Sequence, residues 1–142
     1  YPNLPIFYAG IDGTQSLTTS YVEQANVYDQ VAINRGNHYN ATTGRFTAPC
    51  AGIYEFGIAS LAGQNADIYR FKLYKNGVDQ GYEYRIYQEA LNHYNPSNGE
   101  YVIQISLAAD DYVSIYAKSD GGNDAYGGST YYYSYFRGRL IG

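Results

Sequence analysis

The sequence predicts an all-β domain, and three observations carry that prediction. Apolar and polar residues alternate with a period of two through most of the chain, and turn-forming dipeptides separate the alternating runs. The aromatic residues are mostly tyrosine, 20 Tyr against 5 Phe and no Trp, and tyrosine suits a pleated, half-buried surface. No repeat, linker or composition break divides the 142 residues, so residues 1–142 read as one domain.

The elements follow in order. The chain opens on the apolar run Ile6-Phe7-Tyr8-Ala9-Gly10. Arg45-Phe46-Thr47-Ala48 leads through Pro49 and Gly52 into a long strand that puts Tyr54, Phe56 and Ile58 on one face. Tyr69, Phe71 and Leu73 alternate with Arg70, Lys72 and Tyr74, and Asn76-Gly77 then turns the chain. Tyr101, Ile103, Ile105 and Leu107 share a face, Asp110-Asp111 makes the next turn, and Val113, Ile115 and Ala117 point inward after it. In the last strand Tyr132, Ser134, Phe136, Gly138 and Leu140 share a face, opposite Tyr131, Tyr133, Tyr135, Arg137 and Arg139. Residues 95–99 and 120–128 are loops by composition. Gly44 and Gly77 suit hairpin positions with positive φ, Pro49 suits a strand edge or bulge, and Gly52 permits a bend. Many short strands with turns between them mean a sandwich or barrel. Alternation alone does not choose a jelly roll over an immunoglobulin topology, but the cysteine pair and buried Trp of the latter are missing.

Composition narrows function. Charged residues make up 15%, against ~25% in an average domain. The surface must therefore be largely Tyr, Asn, Gln, Ser, Thr and Gly, neutral groups that stack and hydrogen-bond. A net charge of −4 with no basic cluster disfavours binding to nucleic-acid backbones and anionic membranes. No run approaches the ~20 apolar residues of a membrane-spanning helix. The start at Tyr1-Pro2 reads as a processed, secreted, extracellular protein, and Asn40-Ala41-Thr42 is a glycosylation acceptor at Asn40. Cys50 has no partner for an intrachain disulfide; within an apolar run after Pro49 it is expected to be buried.

The ordered series Val27-Tyr28-Asp29-Gln30-Val31-Ala32-Ile33-Asn34, Gly36-Asn37-His38-Tyr39-Asn40 and Gly44-Arg45-Phe46-Thr47-Ala48-Pro49 precedes Gly52-Ile53-Tyr54-Glu55-Phe56. It resembles the signature region of the complement C1q globular-head family. Leu73-Tyr74-Lys75-Asn76-Gly77, Asp110-Asp111-Tyr112-Val113 and Tyr135-Phe136-Arg137-Gly138-Arg139-Leu140 fall in the family's order. The resemblance implies a ten-stranded jelly roll shared with the tumour necrosis factor superfamily, assembling as a homotrimer. It makes Gly44, Phe46, Gly52, Tyr54, Phe56, Gly77, Val113, Phe136 and Gly138 positions of the fold, in core or intersubunit packing. No Gly-X-Y repeat accompanies them.

Catalysis finds little support. There are two His, His38 and His93, no nucleophile elbow, no phosphate loop and no metal-ligand spacing, so the chain reads as no enzyme. Adjacent Asp110 and Asp111 would point to opposite faces of a strand. No cofactor is required. Calcium binding in some relatives implies an ion site for which Asp110, Asp111, Asp120 and Asp124 are oxygen donors, although Asp also simply favours turns. Carbohydrate is the leading ligand class, because sugars offer C–H faces to aromatic rings and hydroxyls to amides and carboxylates. Tyr82, Tyr84, Arg85 and Tyr87, then Asn92 and His93, then Asp124 and Tyr126 supply those groups in the stretches least tied to the family pattern. Arg85 suits a carboxylated sugar such as sialic acid. The expected function is a secreted lectin acting on glycans or glycoproteins. The rival is a protein–protein ligand or matrix component in the manner of cerebellins and short-chain collagens.

Overall fold

The computed structural model describes residues 3–63, 65–89, 99–127 and 133–142, and among them every regular element is a strand. One sheet is built from β1 (Ile6–Gly10), β4 (Gln30–Arg35), β7 (Gly52–Ala59), β10 (Tyr101–Leu107) and β13 (Tyr135–Leu140), in the order β10-β7-β13-β1-β4. The second contains β5 (Tyr39–Asn40), β6 (Arg45–Thr47), β8 (Asp67–Lys75), β9 (Val78–Gln88) and β11 (Tyr112–Ser119), ordered β5-β6-β11-β8-β9, with β3 (Val22–Glu23) also on β11. A small ladder joins β2 (Thr14–Gln15) to β12 (Ala125–Tyr126). This is the jelly-roll sandwich. The described residues form thirteen strands against the ten expected, and four of them, β2, β3, β5 and β12, are two-residue pieces.

The period-two faces meet between the sheets. Phe7 stacks on Tyr39 at 4.6 Å, sets an edge against Phe136 at 4.9 Å and lies 5.1 Å from Phe46. Each such pair contributes about 0.5–1.5 kcal/mol beyond its buried area. Phe46, Tyr54, Phe56, Val113 and Phe136 are all fully buried. The phenol of Tyr39 donates to the Tyr28 carbonyl at 2.7 Å, so a polar atom enters the core already paired.

Glycines sit where a side chain cannot. Asn76 and Gly77 both have positive φ, 51° and 77°, the hairpin geometry that links β8 to β9. Gly138 needs no unusual φ; a Cβ there would lie 2.4 Å from Cδ1 of Phe56 and 2.6 Å from Cε1 of Phe7. Gly52 likewise has no positive φ; it starts β7 under Leu140, whose Cδ1 would be 2.7 Å from an added Cβ.

Two expectations are corrected. Cys50 is exposed, with its Sγ 3.6 Å from Tyr54 Oη. Ala48 takes the last inward position, and the bend over 49–51 carries the thiol outward. The closing strand begins at Tyr135, later than the alternation suggested; positions 131 and 132 lie outside the described residues.

Strand directions give the sandwich two distinct ends. β1 and β13 pair antiparallel, Ile6 opposite Arg139 and Gly10 opposite Tyr135. Residues 3–5 and 141–142 therefore lie at one end, and the described segments that follow Gly10 and directly precede Tyr135 lie at the other, called the distal end below.

Candidate ligand-binding site

The distal end is assembled from segments far apart in sequence. β2 and β12 pair there, Gly127 N donates to the Gly13 carbonyl at 2.6 Å and Tyr126 N to that of Leu61 at 3.2 Å. Buried Ser134 staples the same region: its Oγ accepts from Leu61 N at 2.9 Å and donates to the Tyr126 carbonyl at 2.6 Å. Gly63 packs so closely under this loop that a Cβ would stand 2.0 Å from the Asp124 carbonyl oxygen, which only glycine avoids.

Asp67 fixes the loop over 119–124. Its Oδ1 accepts from Gly121 N at 2.9 Å and Ile68 N at 2.7 Å, and its Oδ2 from Asn123 Nδ2 at 2.8 Å. Burial alone would raise its pKa, but hydrogen bonds from Asn123, Gly121 and Ile68 together hold it below the usual carboxylate range. Asp124 ties the loop to the N-terminal segment, its Oδ1 accepting from Leu17 N at 3.2 Å.

These bonds shape a polar cleft of about 260 Å³. Thr14, Asn65, Asn123, Asp124 and Tyr126 line its walls, with Gly63, Gly122 and Ala125 between them. Among the described residues, the Thr14 hydroxyl, the Asn65 amide, Asn123 Oδ1 and Asp124 Oδ2 have no hydrogen-bond partner. Donors and acceptors from three chain segments thus converge on one shallow cleft beside a phenol, a combination suited to a small hydroxylated group.

The expected residues fall in several places. Asp124 and Tyr126 line the cleft. Tyr82 and Tyr84 point the other way: Tyr84 is 8% exposed, packs on Phe71 and Tyr101, and belongs to the core, with Tyr82 packed against that core. Tyr87 and Arg85 do face outward on β9, Arg85 Nη1 donating to Tyr87 Oη at 3.0 Å. Arg85 is also committed to Glu83, its Nε donating to Oε1 at 2.6 Å. Glu83 in addition takes Arg70 at 3.1 Å and the Tyr21 phenol at 2.7 Å. Burial and the neighbouring Glu83 carboxylate both push the Tyr21 phenol pKa upward. Asn92 and His93 lie outside the described residues.

The expected calcium donors do not converge. Asp110 and Asp111 precede β11 and Asp120 follows it, and eight strand residues separate them by roughly 26 Å. Asp111 accepts from Asn76 Nδ2 at 2.9 Å and Ala108 N at 2.8 Å, while Asp120 accepts twice from Arg70 at 2.8 Å. The Arg70 guanidinium holds the Asp120 carboxyl far below its ordinary pKa. Among the described residues no group of three His, Cys, Asp or Glu side chains stands ready for a metal.

A second cleft, of about 500 Å³, lies at the terminal end between Leu4, Pro5, His38, Pro49, Cys50 and Leu140. Its walls are mostly apolar. Nothing in the sequence pointed to Thr14 or Asn65 in the polar cleft; the segment from Asp120 to Tyr126 had already drawn notice by composition.

Residues 6–141 match the C1q domain family, and the chain belongs to it. It is 30% identical over 101 residues to complement C1q tumor necrosis factor-related protein 5 of Rattus norvegicus, covering 63% of this chain and 39% of that protein. Protein 7 of the same name in Mus musculus is 28% identical over 109 residues, 75% of this chain and 36% of the relative. The chain thus spans well under half the length of these relatives. Among solved structures, the globular domain of zebrafish complement 1qA superposes with a TM-score of 0.65 at 16% identity, covering 97% of this chain and 98% of that one. Murine APRIL at pH 8.0 gives 0.63 at 15% identity, over 96% and 98%. At such identities the likeness is one of fold. Among the described residues no helix is long and apolar enough to cross a membrane.

Proposed function

We propose that this chain is an extracellular recognition domain, not an enzyme, that works as a homotrimer and binds glycans or glycoproteins at the distal cleft. The observation that carries the reading is the convergence of Thr14, Asn65, Asn123 and Asp124 beside Tyr126. A single small cleft binds weakly, and three on one assembly gain avidity without new contacts. Neither the cleft nor its scaffold calls for a cofactor.

The trimer reading has support on the surface. Of the nine large exposed hydrophobics among the described residues, Val31, Ile33, Ile53 and Val102 lie on the first sheet and Tyr133 and Ile141 flank its strand β13. The outer face of the second sheet instead carries the charged network of Glu23, Arg45, Arg70, Lys72, Glu83, Arg85, Lys118 and Asp120. The first sheet combines these exposed apolar side chains with the Glu55, Arg137 and Arg139 ion pairs, a mixed surface that supports subunit contact there. Asn40 is exposed at the end of β5, as a glycosylated residue of an extracellular protein must be.

The rival reading, a ligand for a protein receptor, draws on the second sheet. Tyr74 and Tyr116 stack at 3.8 Å there, and the Arg45 guanidinium sits 4.3 Å over the Tyr112 ring. Tyr and Arg are the residues that dominate protein-binding hot spots. A glycan array decides between the two. Saturable retention on a sugar class, lost in Asn65→Ala and Tyr126→Ala while the trimer persists, supports the cleft. A blank array sinks the glycan reading.

A further inference from the structure

Resting on that reading of the cleft, we infer that its ligand is a neutral hydroxylated sugar and that Asp124 excludes acidic ones. Among the described residues no Lys or Arg lines the cleft. The cations of the distal end are spent elsewhere. Arg70 is held by both oxygens of Asp120 and by Glu83, Lys118 lies 3.3 Å from Asp120, and Arg85 is bound to Glu83. Arg85 is therefore not free to receive the carboxylate of a sialic acid. The cleft itself offers neutral amides and hydroxyls with one carboxylate oxygen, Asp124 Oδ2, that no described residue neutralises. Asp67 places a second carboxylate just behind Asn123.

A hydroxyl can donate to Asp124 Oδ2 and accept from the Asn65 amide. An acidic sugar would instead set its own negative charge against Asp124, on a chain already at −4. At the separations of such a cleft the repulsion weakens binding by roughly tenfold or more. It is a Coulomb effect at an exposed site, so salt diminishes it.

The test uses biotinylated N-acetyllactosamine and its sialylated form on identical linkers, read by biolayer interferometry on the intact protein. The neutral probe is expected to be retained at least about tenfold more tightly at low salt, with the gap shrinking as salt is added. Asp124→Asn keeps an oxygen for Leu17 N and removes the charge, so it should close the gap to about threefold while melting like the parent. Tighter retention of the sialylated probe, or a gap unchanged in Asp124→Asn, overturns the inference and leaves the glycan reading standing. Retention of neither probe nor of any glycan on the wider array overturns both.

Discussion

Asp67 and Asn123 meet across 56 positions of chain, Asn123 Nδ2 donating to Asp67 Oδ2 at 2.8 Å. With Gly121 N on the other oxygen, this carboxylate holds the cleft wall to the start of β8. Asp67→Ala removes acceptors from two partners of the 119–124 loop and should lower stability to urea by about 2 kcal/mol. Glycan retention should fall with it. Unchanged stability would mean that the loop holds itself.

The same residue sets an acid response. Its pKa is depressed in the folded protein, so as pH falls the unfolded chain takes the proton first. Its stabilisation is present above the ordinary Asp value near ~4 and is lost as pH drops through the lower folded value. Melting temperature should therefore hold level down to about pH 4.5 and decline below it. Asp67→Asn should show a shallower decline; parallel acid limbs in the two proteins would remove Asp67 from the effect.

Gly138 and Gly81 predict two different penalties for alanine. At Gly138 the added methyl enters the Phe7–Phe56 contact, and overpacking should cost about 2–3 kcal/mol. At Gly81 nothing stands within 4 Å, but φ is +82°, so the cost is about 1 kcal/mol of backbone strain. Chemical denaturation of both variants checks the ordering.

Tyr84 and Tyr87 separate packing from surface. Tyr84→Ala opens a cavity beside Phe71 and should cost about 3–4 kcal/mol. Tyr87 is 63% exposed, and Tyr87→Ala should stay within about 0.5 kcal/mol. A large loss at Tyr87 would show that the β9 surface packs against something, most simply a neighbouring subunit.

Ile33, 45% exposed and paired with Tyr8 on the first sheet, tests the assembly face. Sedimentation equilibrium should give a mass about three times the 15.9 kDa of one chain. Ile33→Glu should shift it toward one chain with the β signature of circular dichroism intact, whereas Val78→Glu on the second sheet should not. A trimer indifferent to Ile33→Glu would place the contact elsewhere.

How much of this was legible in the sequence depends on the range of the forces involved. Burial of Tyr54, Phe56, Phe71 and Val113 is written in period two, and the Asn76-Gly77 turn in its dipeptide, because strand faces and positive φ are local properties. Cys50 misled because Pro49, Cys50 and Ala51 are small and carry no sign of direction once Ala48 has ended the inward face. For Tyr84 the signal was present: it shares parity with buried Ile86, and composition drew attention away from it. The cleft was half visible. Asp124 and Tyr126 stood out as loop chemistry, but Thr14 and Asn65 join them only through the β2–β12 ladder and the Asp67 bonds, pairings that no local pattern encodes.

The antiparallel pairing of β1 and β13 has a mechanical consequence. A pull between the two ends of the chain loads the Ile6–Arg139 pair first, then Phe7–Gly138, and so on inward. The ladder opens like a zipper, one rung at a time, because the force never falls on all its hydrogen bonds together. Tension along the termini would peel the central strands of the first sheet at low force and open the Phe7 cluster before it disturbed the far loops.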